Sequence, residues 1–130
     1  MKRILFIIIF ITQNVMADGL QINNIIEGEG AEIIKHSKIQ VHYTGKLQDG
    51  TKFDSSYDRG ELTTFAINQV IQGWQKTLLK MKVGSKWKVF IPEHLAYGVS
   101  GVPKDIMEGE YIIPPSSTLI FDIELIDIVE

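Results

Sequence analysis

The chain has 130 residues, which is room for one domain. Hydrophobic residues make up 45% and charged residues 22%, a balance typical of a globular domain and not of a disordered or fibrous chain. The formal net charge of −3 argues against a nucleic-acid-binding protein, and the absence of cysteine excludes disulfides, thiolate metal sites and a cysteine nucleophile.

The first segment has the pattern of a secretory signal peptide. Lys2 and Arg3 precede an apolar run over residues 4–11, which is shorter than the roughly 20 residues that a membrane-spanning helix needs. Val15 and Ala17 stand third and first before a plausible cleavage point. An uncleaved anchor or a core strand is the alternative interpretation. We expect a cleaved leader over residues 1–17 and one exported domain, periplasmic or secreted and not inserted in a membrane, over residues 18–130.

Alternation of apolar and polar residues predicts strands along the body of the chain. In the clearest one, Ile39, Val41 and Tyr43 face one side while polar residues face the other, and Asp49-Gly50 predicts a tight turn after it. The predicted strands cover residues 20–26, 38–47, 51–54, 63–67, 86–91 and 118–129. Loops are predicted over residues 55–61 and, as a long irregular stretch, over residues 92–115.

Only one segment has a convincing helical pattern. Ile71, Trp74, Leu78 and Met81 are spaced three and four residues apart, which makes one apolar face, and Gly84 suits the end of a helix. One such helix cannot bury its apolar face alone, and a sheet of this size needs cover on one side. We therefore predict an α+β fold in which a curved antiparallel β-sheet is wrapped around one short α-helix.

The sequence lacks the usual signatures of hydrolytic and phosphate-binding sites. No serine stands in a G-x-S-x-G elbow, and there is no G-x-x-x-x-G-K-[ST] loop. His36, His42 and His94 are not at metal-ligand spacings, so no metal site is predicted. Asp122 and Glu124 share one face of the last predicted strand, where solvation is a simpler role than catalysis.

Aromatic residues on different predicted elements point inward or lie in adjoining loops. From the residues alone, two interpretations stay open. The aromatic rings pack in the core, or they line an apolar pocket that contains a few polar groups such as Asp54 and the tyrosine hydroxyls. The aromatic residues are Tyr43, Phe53, Phe65, Trp74, Tyr97 and Phe121.

Five motifs, taken in chain order, resemble those of the FKBP-type peptidyl-prolyl cis/trans isomerases. They are VHYTGKLQDGTKFDSS (41–56), FAINQVIQGW (65–74), AYG (96–98), IIPP (112–115) and TLIFDIELIDI (118–128). The resemblance covers essentially the whole chain from Leu20 onward, and five motifs in register are far more specific than one short pattern. It implies a half-barrel of antiparallel strands around a single helix, which agrees with the fold predicted from periodicity.

The resemblance also implies roles for matching residues in a proline-binding pocket. Trp74 resembles the residue that forms the pocket floor under the proline ring. Asp54 resembles the family's pocket carboxylate, and Arg59 resembles the arginine that accompanies it. The Ile71 backbone N–H and the Tyr97 hydroxyl are similar to the donors that hold the substrate backbone. The implied catalytic residues are Tyr43, Asp54, Trp74, Tyr97 and Phe121; the implied substrate-binding residues are Phe53, Phe65, Val70, Ile71 and Ile113, the last on a flap over the ligand.

The implied reaction is rotation about X–Pro peptide bonds, which meets a barrier of about 18–20 kcal/mol. Because no bond is broken, the reaction needs no nucleophile, metal or cofactor. The implied partners are proline-containing polypeptides in exported proteins and macrolides of the rapamycin type. The alternative function is a proline-peptide-binding or chaperone module with little isomerase turnover.

Some features depart from the family pattern. Certain members place an aromatic pocket wall where this chain has Thr63, and the flap over residues 104–111 is several residues longer than in minimal members. These changes leave the substrate preference open. The chain shows no long helical arm before the domain, which dimeric exported members carry, so we expect a monomer.

Overall fold

The computed structural model of the protein describes residues 12–34, 37–105 and 109–129. Residues 1–11 of the predicted leader, His36 and residues 106–108 of the predicted flap lie outside these ranges. The strands in the described ranges are β1 (Thr12–Val15), β2 (Gln21–Ile26), β3 (Lys38–Leu47), β4 (Lys52–Ser55), β5 (Thr63–Ala66), β6 (Lys86–Ile91), β7 (Val102–Asp105), β8 (Glu110–Ile113) and β9 (Leu119–Ile128). The α-helices there are α1 (Ser56–Arg59) and α2 (Gln72–Leu78), and short 3-10 turns cover Ile67–Gln69 and Glu93–Leu95.

The main sheet is antiparallel and open. Its strand order is β1-β2-β6-β9-β3-β4, with β5 also paired to β3, and β7 and β8 form a separate hairpin. The long central strands β3 and β9 pair from Ile39 opposite Ile128 to Leu47 opposite Leu119, with one register shift between Gln40 and Val41. An antiparallel sheet with one main helix confirms the predicted α+β fold.

The core lies between the inward face of the sheet and α2. The predicted strands over residues 38–47 and 86–91 coincide with β3 and β6, and their alternate residues are buried as expected. On the helix side, Trp74 and Leu78 are buried, and Met81 extends the same apolar face through a tight turn in which its N–H bonds to the carbonyl of Leu78. Each fully buried side chain of this size contributes about 1.5–3 kcal/mol to folding.

Two glycines permit the close approaches on which the site depends. A Cβ atom at Gly73 would lie 2.4 Å from Cγ2 of Ile91, so only glycine lets α2 pack this closely on β6. A Cβ atom at Gly45 would lie 2.6 Å from Phe53 and 2.8 Å from Phe121. The absence of a side chain there lets these two rings meet over β3.

The loop prediction over residues 55–61 missed helix α1. Its single turn begins after Ser55, whose hydroxyl accepts from the Asp58 N–H at 3.2 Å, and ends at Gly60 with φ of 73°. A four-residue helix has no apolar periodicity, so only its caps could have indicated it.

The long stretch predicted as irregular contains the hairpin of β7 and β8. Its strands have four residues each, their register shifts twice, and Pro103 interrupts the ladder, so no alternation indicates them.

Strand β1 lies within the predicted leader. The β1 residues pair with β2 from Thr12 opposite Asn24 to Val15 opposite Gln21. The removal of residues 1–17 stays a prediction. Among the described residues, the structure contains no helix long and apolar enough to cross a membrane.

Candidate active site

The main sheet, the end of the Ile67–Gln69 turn and the start of α2 enclose an aromatic cavity of about 320 Å³. The structure brings together there every predicted site residue except Arg59 and Ile113, and adds Gln69. The lining residues are Tyr43, Phe53, Asp54, Phe65, Gln69, Val70, Ile71, Trp74, Tyr97 and Phe121. Their proposed roles in binding and catalysis stay predictions.

Trp74 is the centre of the aromatic cluster. Its ring lies 5.1 Å from that of Tyr43, 5.4 Å from that of Phe65 and 5.3 Å from that of Phe121, each at a steep angle of 75–88°. Phe53 packs edge-on against Phe121 at 5.6 Å. Such edge-to-face pairs add about 0.5–1.5 kcal/mol each beyond simple burial, so the rings hold each other in fixed orientations.

The start of α2 fixes the cavity rim. The Ile71 carbonyl accepts from the N–H groups of Trp74 and Gln75 at 3.0 and 3.1 Å, which begins the helix. The Gln75 side chain donates to the Val70 carbonyl at 2.8 Å and so ties the rim back to the helix. In the described part of the chain the Ile71 N–H has no hydrogen-bond partner, as is usual for the first amides of a helix. The binding of a substrate carbonyl by this N–H stays a prediction.

A polar network lies at one edge of the aromatic cluster. The Tyr43 hydroxyl donates to Oδ2 of Asp54 at 2.5 Å, and Arg59 Nη1 donates to the other carboxylate oxygen. Arg59 Nη2 donates to the Tyr43 hydroxyl at 3.2 Å and to Oγ1 of Thr63 at 2.8 Å. The guanidinium also lies 5.6 Å from the centroid of the Tyr43 ring, within cation–π range. Arg59 thus supports the lining residues from just outside the cavity.

The pKa values of Tyr43 and Arg59 in this network, and of Tyr97 nearby, are all raised above their usual values. Burial, and then the hydrogen bond to Asp54, raise the pKa of Tyr43 above its usual value near 10. Burial and the charge of Asp54 raise the pKa of Tyr97 in the same way. Hydrogen bonds to Tyr43 and Asp54 raise the pKa of Arg59. Tyr43, Tyr97 and Arg59 are therefore poorly suited to general acid–base catalysis near neutral pH.

Tyr97 and Ile113 occupy different environments. Tyr97 lies in a turn, lines the cavity and is 41% exposed. Ile113, at the end of β8, is buried in the core and does not line the cavity. Its predicted role on a flap over the ligand stays a prediction.

Gln69 is the lining residue that sequence reasoning missed. It lies on the 3-10 turn just before Val70, where no periodicity indicates which way a polar side chain faces. Its position directly before the predicted rim is the one signal that could have identified it.

A second cavity is larger, at about 530 Å³, but is a poorer candidate. It lies between the turn that contains Met16 and Leu20 and the outer side of α2, and it has no aromatic lining. Its polar groups include the ion pair of Asp18 with Lys76 at 2.5 Å. Nor does the described part of the chain hold a group of three His, Asp or Glu side chains placed to bind a metal ion.

Comparison with known proteins gives a consistent result. A family described as FKBP-type peptidyl-prolyl cis-trans isomerase matches residues 30–126. The chain is 49% identical over 115 residues to the FKBP-type 22 kDa peptidyl-prolyl cis-trans isomerase of Escherichia coli, covering 88% of this chain and 52% of that protein. It is 46% identical to an FK506-binding protein of Neisseria meningitidis, covering 86% of this chain and 98% of that protein.

Among solved structures, the crystal structure of AtFKBP13 superposes with a TM-score of 0.85 at 39% identity, covering 91% of this chain and 99% of that one. The chain spans about half the length of several curated relatives that it matches, from 38% to 55% of the first four. The similarity therefore concerns one domain of those longer proteins.

Proposed function

The chain belongs to the family of FKBP-type peptidyl-prolyl cis-trans isomerases, and we propose that it accelerates rotation about X–Pro bonds in exported polypeptides. The proline ring enters the aromatic cavity above Trp74. The substrate carbonyls accept hydrogen bonds from the Ile71 N–H and the Tyr97 hydroxyl. The domain acts by stabilising the twisted amide and not by breaking a bond.

The physical argument rests on how solvation changes as the amide twists. In the planar amide, resonance polarises the carbonyl, and water stabilises that polar form. Rotation removes the resonance and meets a barrier of about 18–20 kcal/mol. A cavity of aromatic rings excludes water and so favours the less polar, twisted form over the planar one. This is preferential binding of the transition state, which lowers the barrier without acid, base or nucleophile.

The observation that carries this proposal is the composition of the cavity. Its walls are mainly aromatic and aliphatic, and its ionisable lining groups are Tyr43, Asp54 and Tyr97. Of those groups, Tyr43 and Tyr97 have pKa values raised away from neutrality. Such a cavity suits a reaction that moves no proton, and a proline ring is of the size and polarity that aromatic surfaces bind well.

The proposed partners follow from the same cavity. Proline-containing polypeptides are the substrates, and macrolides of the rapamycin type would compete with them for the aromatic surface. The signal-peptide pattern at the start of the sequence supports an exported role, periplasmic or secreted.

An isomerisation assay tests the proposal directly. The rate of cis-to-trans conversion of a short proline peptide is measured with the purified chain, with and without a rapamycin-type macrolide. We expect acceleration that the macrolide abolishes. Trp74→Leu should lose most of the acceleration, while Trp87→Phe, at a buried tryptophan outside the cavity, should retain it.

The assay also distinguishes isomerase catalysis from the alternative function. Tight binding of the peptide or macrolide without acceleration would indicate a proline-peptide-binding or chaperone module and reject the proposed mechanism. Acceleration that survives Trp74→Leu in a folded protein would place the reaction elsewhere on the molecule.

A further inference from the structure

We propose that Thr63 is a positioning residue of this site, which fixes the guanidinium of Arg59 and, through it, the Asp54 carboxylate and the Tyr43 hydroxyl. The inference rests on the proposed function, since it concerns the same cavity. Thr63 does not line the cavity itself. It acts through Arg59 and not on the substrate.

The hydrogen-bond directions are fixed by chemistry. Arginine has donors only, so Thr63 Oγ1 must accept the bond of 2.8 Å from Arg59 Nη2. The same nitrogen donates to the Tyr43 hydroxyl at 3.2 Å. Nη2 carries two hydrogens, and these two acceptors use both of them. Thr63 and Tyr43 together therefore fix the orientation of the guanidinium plane.

The ion pair alone would hold the guanidinium weakly. The side chains of Arg59 and Asp54 are 41% and 39% exposed. Ion pairs at such exposure contribute about 0–1 kcal/mol and are screened by salt. A neutral hydroxyl acceptor is not screened in this way. Thr63 therefore adds a contact that persists at high ionic strength.

The position of Thr63 in the sheet makes it a rigid support. It lies on β5, opposite Val41 of β3, so backbone pairing holds its Cα atom in place. Its side chain shares a strand face with Phe65, which lines the cavity, whereas Thr64 between them is exposed. Arg59 belongs to the one-turn helix α1 and has no comparable support of its own. A phenylalanine in place of Thr63 would offer no acceptor oxygen.

The test compares isosteric substitutions at neighbouring positions. Thr63→Val removes the acceptor while keeping shape and strand preference, and Thr64→Val is the matched control on the exposed face. We expect Thr63→Val to lower kcat/KM by about 3- to 10-fold, the effect of one lost hydrogen bond. Thr63→Ser should retain near wild-type kcat/KM, and Thr64→Val should not change it.

Two further measurements distinguish positioning from a general structural effect. First, kcat/KM of Thr63→Val should fall further as NaCl is raised to about 1 M, while the wild-type value changes less, because Arg59 is then held only by the screened ion pair and the longer bond of 3.2 Å to the Tyr43 hydroxyl. Second, Thr63→Val should have no additional effect when Arg59 is already replaced by Met, as a double-mutant cycle measures. Thr63→Ala provides the same tests should the valine variant fold poorly.

Several results would overturn the inference. They are equal activity of Thr63→Val and Thr64→Val, a Thr63 effect that persists undiminished in the Arg59→Met background, and an activity of Thr63→Ser as low as that of Thr63→Val. These outcomes leave wild-type acceleration and its dependence on Trp74 intact. Failure of the proposed function would instead appear as no wild-type acceleration or no effect of Trp74→Leu.

Discussion

At the scale of single residues, the two tryptophans have different surroundings although they are similarly buried. Trp74 is 3% exposed and Trp87 is 4% exposed, but only Trp74 lines the aromatic cavity. Trp87 lies on β6, opposite Ile123 of β9, within the sheet. A ligand in the cavity would therefore touch one indole and leave the other in an unchanged environment.

This difference gives a direct test of the cavity as a binding site. In a Trp87→Phe variant, saturating macrolide or proline peptide should change the intensity and wavelength of the remaining tryptophan fluorescence. The corresponding Trp74→Phe variant, in which Trp87 is the only indole, should show little change. An unchanged spectrum in the Trp87→Phe variant, with binding shown independently by calorimetry, would remove Trp74 from the ligand site.

Asp54 is predicted to act by position and charge and not by proton transfer. Asp54→Asn should keep the shape of the network but weaken the bonds to Tyr43 and Arg59, and Asp54→Leu should remove them. We expect a moderate loss of kcat/KM, larger for leucine, because two charge-assisted bonds are lost. Activity and thermal unfolding are measured together. A loss of stability with unchanged activity per folded molecule would indicate a structural carboxylate only.

The same network predicts the pH dependence of the reaction. The pKa of Tyr43 is raised by burial and by its bond to Asp54, so its hydroxyl stays protonated up to and beyond its usual value near 10. The donor to Asp54 is therefore present throughout the neutral range and is lost only in strongly alkaline solution. Isomerase activity should be nearly flat between about pH 6 and 8. A bell-shaped profile in that range would require an acid or base that the network does not supply.

At the scale of elements, the packing of α2 on β6 sets the depth of the cavity floor. Gly73 faces Ile91 so closely that even a methyl group would clash. Trp74 is the next residue along the helix, so any displacement of α2 from the sheet also moves the indole.

Gly73→Ala should consequently destabilise the fold, although alanine is the better helix former by about 1 kcal/mol. We expect a net loss of about 1–3 kcal/mol in the free energy of unfolding from overpacking, together with lower isomerase activity. Chemical denaturation measures the loss. Ile91→Ala in the same chain makes room for the methyl group, so the double variant should show less than the sum of the two single effects. Strict additivity would show that the Gly73–Ile91 contact is not the cause.

The N-terminal strand raises a question of processing. We predict cleavage after Ala17, which would remove β1 and leave β2 at the edge of the sheet. Asp18, as the new N-terminal residue, would remain bound to the domain, because its carboxylate accepts hydrogen bonds from Lys76 at 2.5 Å and from the Leu20 N–H at 3.2 Å. The bond from Lys76, followed by that from Leu20, lowers the pKa of Asp18, so the carboxylate is charged at neutral pH.

Intact-mass measurement of the protein recovered from outside the cytoplasm tests this prediction. The expected mass corresponds to a chain that begins at Asp18. A species that retains residues 1–17 would show that β1 is a permanent strand of the sheet.

Some strands and helices could be predicted from the sequence more accurately than others, for physical reasons. Strands β3 and β6 coincided with the predicted ranges because alternate burial leaves a strict period of two in the sequence. Helix α1 and the strands β7 and β8 have only four residues each, so they left no such signal. The helix depends on its caps, and the hairpin depends on pairing between its two strands.

The candidate site was predicted well where a side chain is apolar and lies on a regular element. Tyr43, Trp74 and Phe121 could be placed on inward faces by periodicity, while the resemblance was needed to assign their roles. The hydrogen bond from Arg59 to Thr63 joins a loop helix to a separate strand, and no sequence spacing encodes it. Gln69 was missed because the direction of its side chain depends on a short 3-10 turn.

At the scale of the whole molecule, the two cavities lie on either side of the same short helix. Trp74 faces the aromatic cavity, while Lys76 and Lys80 line the larger cavity near the N-terminal turn. The aromatic cavity therefore differs from the larger one, whose lining is aliphatic with two lysines and the carboxylate of Asp18. Only the first combines ring surfaces with a fixed polar edge, which is why the proposed chemistry belongs there.

The pairing of β3 with β9 has a consequence for how the protein comes to be active. Ile39 is opposite Ile128, so the central ladder joins segments that are synthesised far apart in time. Non-local pairing of this kind slows folding, because a long chain must close on itself before the contacts form. The cavity takes Tyr43 from the early strand and Phe121 from the late one. A partly emerged chain therefore lacks residues that complete the cavity, and the proposed isomerase activity would begin only after this non-local pairing has formed.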